Sequence, residues 1–484
     1  MNTGTFSLST MAPAIPEIVL ALLIFTLLIV DLTLRDDERH VTYWLAIVSL
    51  VGTAVLTLFT IGRPLVVTFQ GMFVADLMSQ VLKVATLLTV AATLVLGRPY
   101  LAARGLLTGE FICLALFGAL GMMVMISAHH FITLYLGLEL MALSQYALVS
   151  LQRDSVRATE AGMKYFVLGA LSSGLLLYGL SMIYGATGSL ELTRVAFAIE
   201  HGQAHQMLGV FGLVFVVSGI AFKLGAAPFH MWLPDVYHGA ATPATILVGA
   251  APKIAAFAFV MRLLANGLQG MSADWQQMLI VLAVASLAVG NIIAIAQTNI
   301  KRMLAYSTIS HMGFLVLGIA AGTDNGYSSA MFYLLTYVLM TLGSFGMVLL
   351  LSRQGFEAEN LDDFKGLNQK SKWYAFMMLI LMFSLTGLPP TAGFFGKLAV
   401  LQAVWEVGYG WVVVYAVLMS VIGAFYYLRV VKLMYMDPPA GEVTVEPRAD
   451  ARWLLSGIAL AVLVLGLLPS SLMELCVRAI TASM

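Results

Sequence analysis

The sequence predicts an all-α polytopic membrane protein with about fourteen transmembrane helices, and three observations predict it. Hydrophobic residues make up 60% of the 484 and charged residues only 10%, whereas soluble proteins carry about 25% charged residues. Apolar runs of about 20 residues, enough to cross a bilayer, recur along the chain. Two of these runs are interrupted by Gly and Pro beside a lysine, which a membrane tolerates only where the freed backbone faces protein or water.

The apolar runs can be placed in order along the chain, and no strand is needed to explain any of them. They predict fourteen helices at 12–33, 42–61, 74–97, 110–127, 130–151, 160–185, 207–236, 243–265, 275–297, 303–321, 327–352, 374–404, 409–435 and 453–475.

The distribution of basic residues orients these helices. With the N-terminus outside, sixteen lie at cytoplasmic loops and helix ends: Arg35, Arg39, Arg98, Arg104, Arg153, Arg157, Lys301, Arg302, Arg353, Lys365, Lys370, Lys372, Arg429, Lys432, Arg448 and Arg452. Four lie at outer ones: Arg63, Arg194, Arg262 and Arg478. Because cytoplasmic loops carry the excess of Lys and Arg, this predicts an even helix count with both termini on the outer, periplasmic side.

The two interrupted runs are the seventh and the twelfth helices. The first holds Phe222-Lys223-Leu224-Gly225-Ala226-Ala227-Pro228, and the second holds Thr386-Gly387-Leu388-Pro389-Pro390 followed by Lys397. A unit of five helices starts its second copy on the opposite side of the membrane. Helices 4–8 and 9–13 are therefore expected to form two inverted repeats, and broken segments in corresponding positions indicate a transport site. The expected division is 1–109, 110–268, 269–436 and 437–484.

Several function classes have no support. The net charge is zero, so no nucleic-acid partner is indicated. The two cysteines, Cys113 and Cys476, are far apart and no Cys/His ligand spacing exists, so neither a metal nor an iron–sulfur site is predicted. Nucleotide-binding glycine motifs are absent. Uphill ion movement would thus draw on a gradient or on other subunits.

Glu139 and Lys223 are ionisable groups expected deep in the membrane, where they suggest function by default. A carboxylate about nine residues into helix 5 must be protonated, paired or hydrated. A Glu139–Lys223 pair can trade a proton when its separation changes. The alternatives are a protonated Glu139 bonded to a neighbouring helix and a static buried salt bridge for Lys223.

Lys253 and Lys397 extend this set toward the outer side. Lys253 is expected near mid-membrane in helix 8, either as a connecting proton carrier or as a lysine bonded to broken-helix carbonyls. Lys397 follows the break of helix 12, either as the outer end of a relay or as a lysine that snorkels to the outer surface.

Four further residues are weaker candidates. Lys164 in helix 6 is a relay member or snorkels to the cytoplasmic surface, and Lys83 is expected to pair with Asp76. His311 in helix 10 and His230 beside the break of helix 7 can pass protons near neutral pH, or can be satisfied structural histidines.

These segments together resemble the antiporter-like membrane subunits of respiratory complex I, the proton-pumping NADH:quinone oxidoreductase, and the related multisubunit cation/proton antiporters. The resemblance rests on Phe222-Lys223, on 228–235 and 243–253, on Gln297 through His311 and on 387–397. Within the family, 235–240 and Lys397 resemble the subunit N branch.

The resemblance implies roles for individual residues. Glu139 and Lys223 would be the coupling pair, Lys253 the central connecting lysine, and Lys397 the outlet lysine, with Lys164 and His311 at polar positions along the same axis. It implies a proton-translocating subunit in a bacterial inner membrane, beside homologous antiporter-like subunits and lipid.

The resemblance also places the redox chemistry elsewhere. NADH, flavin, iron–sulfur clusters and quinone would be handled by other subunits, and this chain would hold no cofactor. The rival functions are a subunit of a cation/proton antiporter and a non-pumping membrane scaffold.

Overall fold

The structure, a computed structural model, describes residues 8–35, 38–439 and 449–484. Within these residues, thirteen helices are long and apolar enough to cross a membrane. The remaining crossing is helix 12, which consists of two 15-residue helices separated by a break. The predicted all-α fold with broken helices 7 and 12 is therefore confirmed. Arg448 and most of the connection before helix 14 lie outside the described residues.

The crossings other than helices 7 and 12 are apolar, and helix 8 among them is interrupted at Ala250. Helices 1–6 are Ile15–Thr33, Arg39–Leu58, Leu77–Ala103, Gly109–Ile126, Phe131–Val149 and Val156–Thr187. Helix 8 is Thr242–Gly249 with Ala251–Val260, and helices 9, 10, 11, 13 and 14 are Ser272–Ile295, Ile300–Ala320, Asp324–Leu351, Gly410–Tyr435 and Ala449–Leu467. Helix 7 comprises 7a, Gln206–Leu224, and 7b, Trp232–Gly239; helix 12 comprises 12a, Lys372–Thr386, and 12b, Ala392–Glu406.

Shorter elements join these helices. They are the α-helices Leu8–Met11, Leu192–Glu200, Leu367–Lys370 and Ser470–Thr481, the 3-10 helices Ala12–Ala14, Gln269–Met271 and Leu361–Phe364, and the π-helix Met261–Gly267. The prediction that no strand is needed is wrong, because β1, Val66–Thr68, pairs with β2, Phe73–Ala75, in an antiparallel hairpin before helix 3. The strands are only three residues long, too short to show a period of two.

Helix 14 is shorter than predicted. It ends at Leu467 instead of continuing to 475, because Pro469 follows and the residue before a proline is driven out of the helical region. The chain then starts a new amphipathic helix, Ser470–Thr481, which packs against helices 3 and 11.

The two breaks have the same local construction. Each first half ends at a glycine in the left-handed region, Gly225 at φ +78° and Gly387 at φ +88°. In both, the amide after the glycine donates five residues back, from Ala226 to the Ala221 carbonyl at 2.8 Å and from Leu388 to the Phe383 carbonyl at 2.9 Å. These are Schellman C-caps, which close a helix and leave its last carbonyls available to other donors.

Serine hydroxyls from packed helices or half-helices also brace both breaks. The Ala227 amide donates to Ser286 Oγ of helix 9 at 2.8 Å, and the Gly393 amide donates to Ser384 Oγ at 3.0 Å. A Cβ at Gly393 would lie 1.9 Å from the Ser384 carbonyl oxygen, so only glycine allows 12b to start this close to 12a.

The packing of helices 4–8 repeats in helices 9–13. Helix 4 packs along helix 5 as helix 9 packs along helix 10, and helix 5 meets helix 6 as helix 10 meets helix 11. Helices 4 and 8 are also in contact, as are helices 9 and 13. Both copies present a broken helix to this arrangement, as the five-helix spacing predicts.

One connection ties the repeats together on the predicted cytoplasmic face. Glu357 accepts hydrogen bonds from Tyr100 at 2.9 Å and Thr242 at 2.7 Å, and it pairs with Arg104 at 2.9 Å. Glu359 pairs with Arg157 of helix 6 at 2.9 Å. The connection between helices 11 and 12 thereby fixes helices 3, 6 and 8 to one another.

Candidate functional site

Lys253 binds the end of the first half of helix 7. Its side chain is only 1% exposed, and its Nζ donates to the carbonyls of Lys223 at 3.1 Å and Leu224 at 2.8 Å. Helix 8 is interrupted at Ala250, between Thr242–Gly249 and Ala251–Val260, and Pro252 stands in the first turn of the second part, directly before this lysine. An ammonium group is held at a helix C-terminus by the negative end of the helix dipole as well as by the carbonyls. Lys253 is therefore bonded to broken-helix carbonyls, and its role as a connecting proton carrier stays a prediction.

The indole of Trp232 completes this contact. Its Nε1 donates to the Phe222 carbonyl at 3.0 Å, and its ring lies 5.3 Å from Lys253 Nζ. Trp232 also stacks on Tyr165 of helix 6 with ring centroids 4.6 Å apart. The first residue of 7b therefore packs against the end of 7a, so the two halves share one polar junction.

A small cavity lies beside Lys223. It has a volume of about 20 Å³ and is lined by Lys223, Gln145, Tyr165 and Trp232 among apolar side chains. About 10–15 Å³ suffices for a water molecule, so the space suits a single one. Gln145 accepts from the Tyr165 hydroxyl at 2.9 Å, which places a fixed polar pair on the cavity wall.

Glu139 and Lys223 are not in direct contact. No described residue forms an ion pair within 4.0 Å or a hydrogen bond with either side-chain charge, and Glu139 Oε1 is buried without a partner. Neither the static salt bridge of Lys223 nor the hydrogen-bonded Glu139 is found. The predicted Glu139–Lys223 pair is therefore open, that is, the two charged groups are not in contact.

Lys397 repeats the Lys253 contact at the second break. Its Nζ donates to the carbonyls of Leu385 at 3.2 Å and Thr386 at 2.8 Å, the last residues of 12a. Its Nζ also lies 5.1 Å from the centre of the Phe314 ring. The side chain therefore points into the break, and the alternative of snorkelling to the outer surface is wrong.

His311 is the centre of a hydrogen-bonded cluster between helices 10, 11 and 13. Its Nδ1 lies 2.5 Å from the Tyr333 hydroxyl and its Nε2 lies 3.0 Å from the Tyr427 hydroxyl. Tyr427 also contacts Ser307.

Helix 9 extends the cluster. Asn291 donates to Ser310 Oγ at 2.9 Å and accepts from the Tyr426 hydroxyl at 3.0 Å. His311 was a candidate from the sequence, whereas Asn291, Tyr333, Tyr426 and Tyr427 were not. Tyrosines are common packing residues in membrane helices, and no sequence spacing distinguishes those that meet across three helices.

Lys164 and His230 lie at the predicted cytoplasmic entrance. Lys164 is 44% exposed and bridges Glu160 and Asp235 at 2.8 Å each. Asp235 of 7b also forms an ion pair with Arg302 at 2.8 Å. His230 is half-buried in the break itself. Lys164 is thus held against 7b near the predicted cytoplasmic face, and no hydrogen bond joins it to the buried lysines among the described residues.

Lys301 is a further buried lysine, which the sequence pattern placed only among the basic residues of cytoplasmic loops and helix ends. Lys301 is 2% exposed and donates from Nζ to the Ala240 carbonyl at 2.8 Å, which caps the C-terminus of 7b. Both halves of helix 7 therefore end on a buried lysine.

The predicted Lys83–Asp76 pair is wrong. Lys83 pairs with Glu17 of helix 1, and Asp76 pairs with Arg262 of the π-helix through contacts of 2.7 and 2.8 Å. Asp76 precedes helix 3 and faces helix 8, whereas Lys83 lies two turns further on and faces helix 1. Their distance along the helix, about 10 Å at 1.5 Å per residue, separates them.

The arrangement offers proton-exchanging groups and little else. Among residues 8–35, 38–439 and 449–484, no group of three His, Cys, Asp or Glu side chains is placed to hold a metal. Lysine, histidine and tyrosine can each donate and accept protons. The one-water cavity borders Lys223, and tyrosine hydroxyls contact His311.

Comparisons with known proteins assign the chain to a protein family. A family described as "NADH:quinone oxidoreductase/Mrp antiporter, TM" matches residues 128–423. The chain belongs to this family. A second family, described as "NAD(P)H-quinone oxidoreductase subunit 2 N-terminal", matches residues 4–97. The NADH:quinone oxidoreductase/Mrp antiporter match covers both broken helices and the candidate lysines and histidines from Lys164 to Lys397 together with Glu139, and it ends before Tyr426 and Tyr427.

Relatives within the NADH:quinone oxidoreductase/Mrp antiporter family match the full length. The chain is 60% identical over 477 residues to NADH-quinone oxidoreductase subunit N of Thiobacillus denitrificans, covering 99% of both chains. It is 56% identical to that of Nitrosomonas europaea, covering 99% of this chain and 100% of the relative.

Solved structures show the same fold. A chain of respiratory complex I from Thermus thermophilus with bound Aureothin matches with a TM-score of 0.81 and 32% identity, over 95% of this chain and 98% of that one. A chain of the Mrp complex from Dietzia sp. matches with a TM-score of 0.82 and 20% identity, over 97% of both chains, which shows the shared fold alone.

Proposed function

We propose that this chain is the proton-translocating membrane subunit N of an NADH:quinone oxidoreductase. One observation carries the proposal beyond family membership: a lysine donates to the exposed C-terminal carbonyls of each broken helix, Lys253 at 7a and Lys397 at 12a. A lysine in hydrocarbon costs about 3 kcal/mol, which a structural helix has no need to bear. Two such contacts in two repeats support a paired proton site.

Protons would enter from the cytoplasmic side, where Lys164 and Asp235 lie at the mouth of 7b. They would reach Lys223 by the water cavity, whose wall holds Gln145 and Tyr165. The open Glu139–Lys223 pair supports a coupling role, since a carboxylate that approaches Lys223 favours its charged form and one that retreats favours proton release. Lys253 would take the proton at the 7a carbonyls.

The second repeat would carry the proton outward. The Ser310, His311 and Tyr427 cluster provides groups that exchange protons, and Lys397 at the second break would be the outlet lysine. His230 would assist at the first break. The proposed units are residues 110–268 for the inner half-channel and 269–436 for the outer one, with 1–109 and 437–484 packed outside.

The remaining assignments are proposed from the resemblance to complex I subunits. This chain would hold no redox group, and NADH, flavin, iron–sulfur clusters and quinone would be bound by other subunits. Its partners would be those subunits, including homologous antiporter-like chains. It would lie in a bacterial inner membrane with both termini periplasmic, as the excess of basic residues on the other face indicates.

A test of this function uses the tagged chain extracted gently from native membranes. We expect it to co-purify with a large assembly that oxidises NADH with quinone, and vesicles containing the assembly to acidify on the outlet side when NADH is supplied. Isolation without NADH activity but with salt-dependent cation/proton exchange would support the antiporter alternative, which the fold of the Dietzia complex keeps open.

One of the two tyrosines that bind His311, Tyr427, gives a specific prediction. Tyr427→Phe removes the hydroxyl 3.0 Å from His311 Nε2 and leaves the ring in place. We expect proton pumping to slow roughly fivefold, the effect of losing one hydrogen bond worth about 1 kcal/mol along the path. The measurement is NADH-driven acidification in vesicles at matched complex content.

Tyr337→Phe is the matched control for Tyr427→Phe. The Tyr337 ring centre lies 5.2 Å from that of His311, but its hydroxyl donates to Thr308 at 2.8 Å instead. Pumping is expected to stay close to wild type in this variant. Equal slowing in both variants would mean that the tyrosines act only through packing.

A further inference from the structure

A cleft at the predicted cytoplasmic face lies between helices 3, 11 and 14, away from the lysine axis. Its volume is about 230 Å³. The walls combine the apolar side chains Leu96, Leu349 and Leu455 with the guanidinium groups of Arg104 and Arg353. Such a combination of an apolar slot with a basic mouth suits an amphipathic ligand whose head is anionic.

The guanidinium of Arg104 is fixed but not saturated. Its Nη2 donates to Glu357 at 2.9 Å and to the carbonyls of Arg353 and Phe356 at 3.0 Å each. The ring of Tyr100 lies 3.7 Å from its central carbon. Its Nη1 is buried and no described residue accepts a hydrogen bond from it. An unpaired buried donor of a charged group costs free energy, so an acceptor from outside the chain would stabilise it.

The charge balance at the cleft favours an anion. Glu357 neutralises one positive charge, but its oxygens are already taken by Arg104, Tyr100 and Thr242. Arg353 is exposed at the rim, with its guanidinium 5.5 Å from the Phe356 ring and no carboxylate partner among the described residues. The two arginines and Glu357 therefore leave a net positive charge of one.

The position of the cleft at the membrane–water interface favours a phospholipid over other anions. It opens at the level of the first turn of helix 14, where Trp453 is 75% exposed, and tryptophan marks the membrane–water interface. Basic pockets between transmembrane helices on the cytoplasmic side bind lipid head groups, and this leaflet is the one rich in anionic lipid. An acyl chain can follow the leucine wall downward while the phosphate stays at the arginines.

We propose that this cleft binds one anionic phospholipid, with its phosphate accepting from Arg104 Nη1 and facing Arg353, and with an acyl chain against Leu96, Leu349 and Leu455. Helix 14 reaches helices 3 and 11 through this lipid as well as through direct packing. The lipid thus fills the seam between the last helix and the two repeats. The site lies apart from the proton path, so the proposal stands without it.

The test uses the intact assembly purified from native membranes with a tag on this chain. Three variants alter the cleft: Arg353→Gln removes the rim charge, Arg104→Gln removes the buried donor, and Ala103→Phe fills the space and keeps both arginines. Ala102→Phe, an exposed neighbour outside the cleft lining, is the control for bulk, and Lys372→Gln is the control for a lost cytoplasmic charge.

Native mass spectrometry counts the phospholipids that each assembly retains. We expect wild type and both controls to retain one anionic phospholipid more than the Arg353→Gln and Ala103→Phe variants. Because Arg104 also holds Glu357, Arg104→Gln is interpreted only where assembly is normal, and the other two variants decide the result. Equal retention in wild type, Arg353→Gln and Ala103→Phe would overturn the proposal.

An experiment on delipidated wild-type assembly then distinguishes a phospholipid head group from free inorganic phosphate as the bound anion. Phosphatidylglycerol added back is expected to restore the retained lipid and the thermal midpoint, whereas phosphatidylcholine and inorganic phosphate are not. Restoration by inorganic phosphate alone would show an anion site without a lipid and would overturn the assignment. Restoration by phosphatidylcholine to the same extent would show that the arginines do not select the head group.

Discussion

Replacing Lys253 with arginine is expected to stop proton transfer through this chain while leaving it folded and assembled. Arginine keeps a donor for the Lys223 and Leu224 carbonyls, so the cap of 7a survives. Its guanidinium does not release a proton in proteins, whereas a lysine ammonium does. Loss of a proton-transfer group slows a step by about 100-fold or more, and we expect that reduction in pumping through this subunit.

The measurement is the ratio of protons translocated to NADH oxidised in vesicles at equal amounts of assembled complex. Lys253→Met removes both donor and proton and accompanies the arginine variant in case the larger side chain disturbs packing. Lys301→Met is the matched control, because Lys301 is equally buried and also caps a half of helix 7, at the Ala240 carbonyl. It is expected to reduce the amount of assembled complex and not the ratio. A wild-type ratio in both Lys253 variants would rule out the proton role.

Sequence patterns sufficed for the helices and for the breaks. Apolar length identifies a crossing without any knowledge of its neighbours, which is why thirteen helices and the broken twelfth fall where predicted. Gly225 and Gly387 end their half-helices because glycine adopts the left-handed backbone conformation at no steric cost. Lys253 and Lys397 were identified because a lysine inside an apolar run is unusual whatever it contacts.

The ion-pair and hydrogen-bond partners of buried side chains could not be obtained from the sequence, because they depend on the rotation of each helix about its axis. Arg262 and Lys301 were assigned to helix ends and counted only as loop charges, yet both are buried and bonded within the fold. Lys83 was given the nearest carboxylate in the sequence, whereas helix 3 turns it toward Glu17. The open Glu139–Lys223 pair likewise depends on helix spacing that no motif records.

Breaking the buried Asp76–Arg262 pair is expected to destabilise the chain by about 3–5 kcal/mol, because the remaining charge stays buried without a partner. The side chains are 0% and 1% exposed and are joined by contacts of 2.7 and 2.8 Å. The pair connects the start of helix 3 to the π-helix at the end of helix 8. Asp76→Asn isolates the charge effect, since asparagine is also a good N-cap and can still accept from the Ser79 amide at 2.9 Å.

The double variant Asp76→Asn/Arg262→Met separates a lost attraction from a stranded charge. With both charges gone, we expect most of the stability to return, as seen when buried pairs are replaced by apolar groups, and the thermal midpoint of the assembly measures this. Burial opposes ionisation of Asp76, but Arg262 and Ser79 together hold the pKa of the carboxyl below its usual range. Its stabilising contribution is therefore complete above about pH 4 and is lost only as the pH falls through the lowered pKa. A double variant no more stable than Asp76→Asn alone would show that helices 3 and 8 require the ion pair itself.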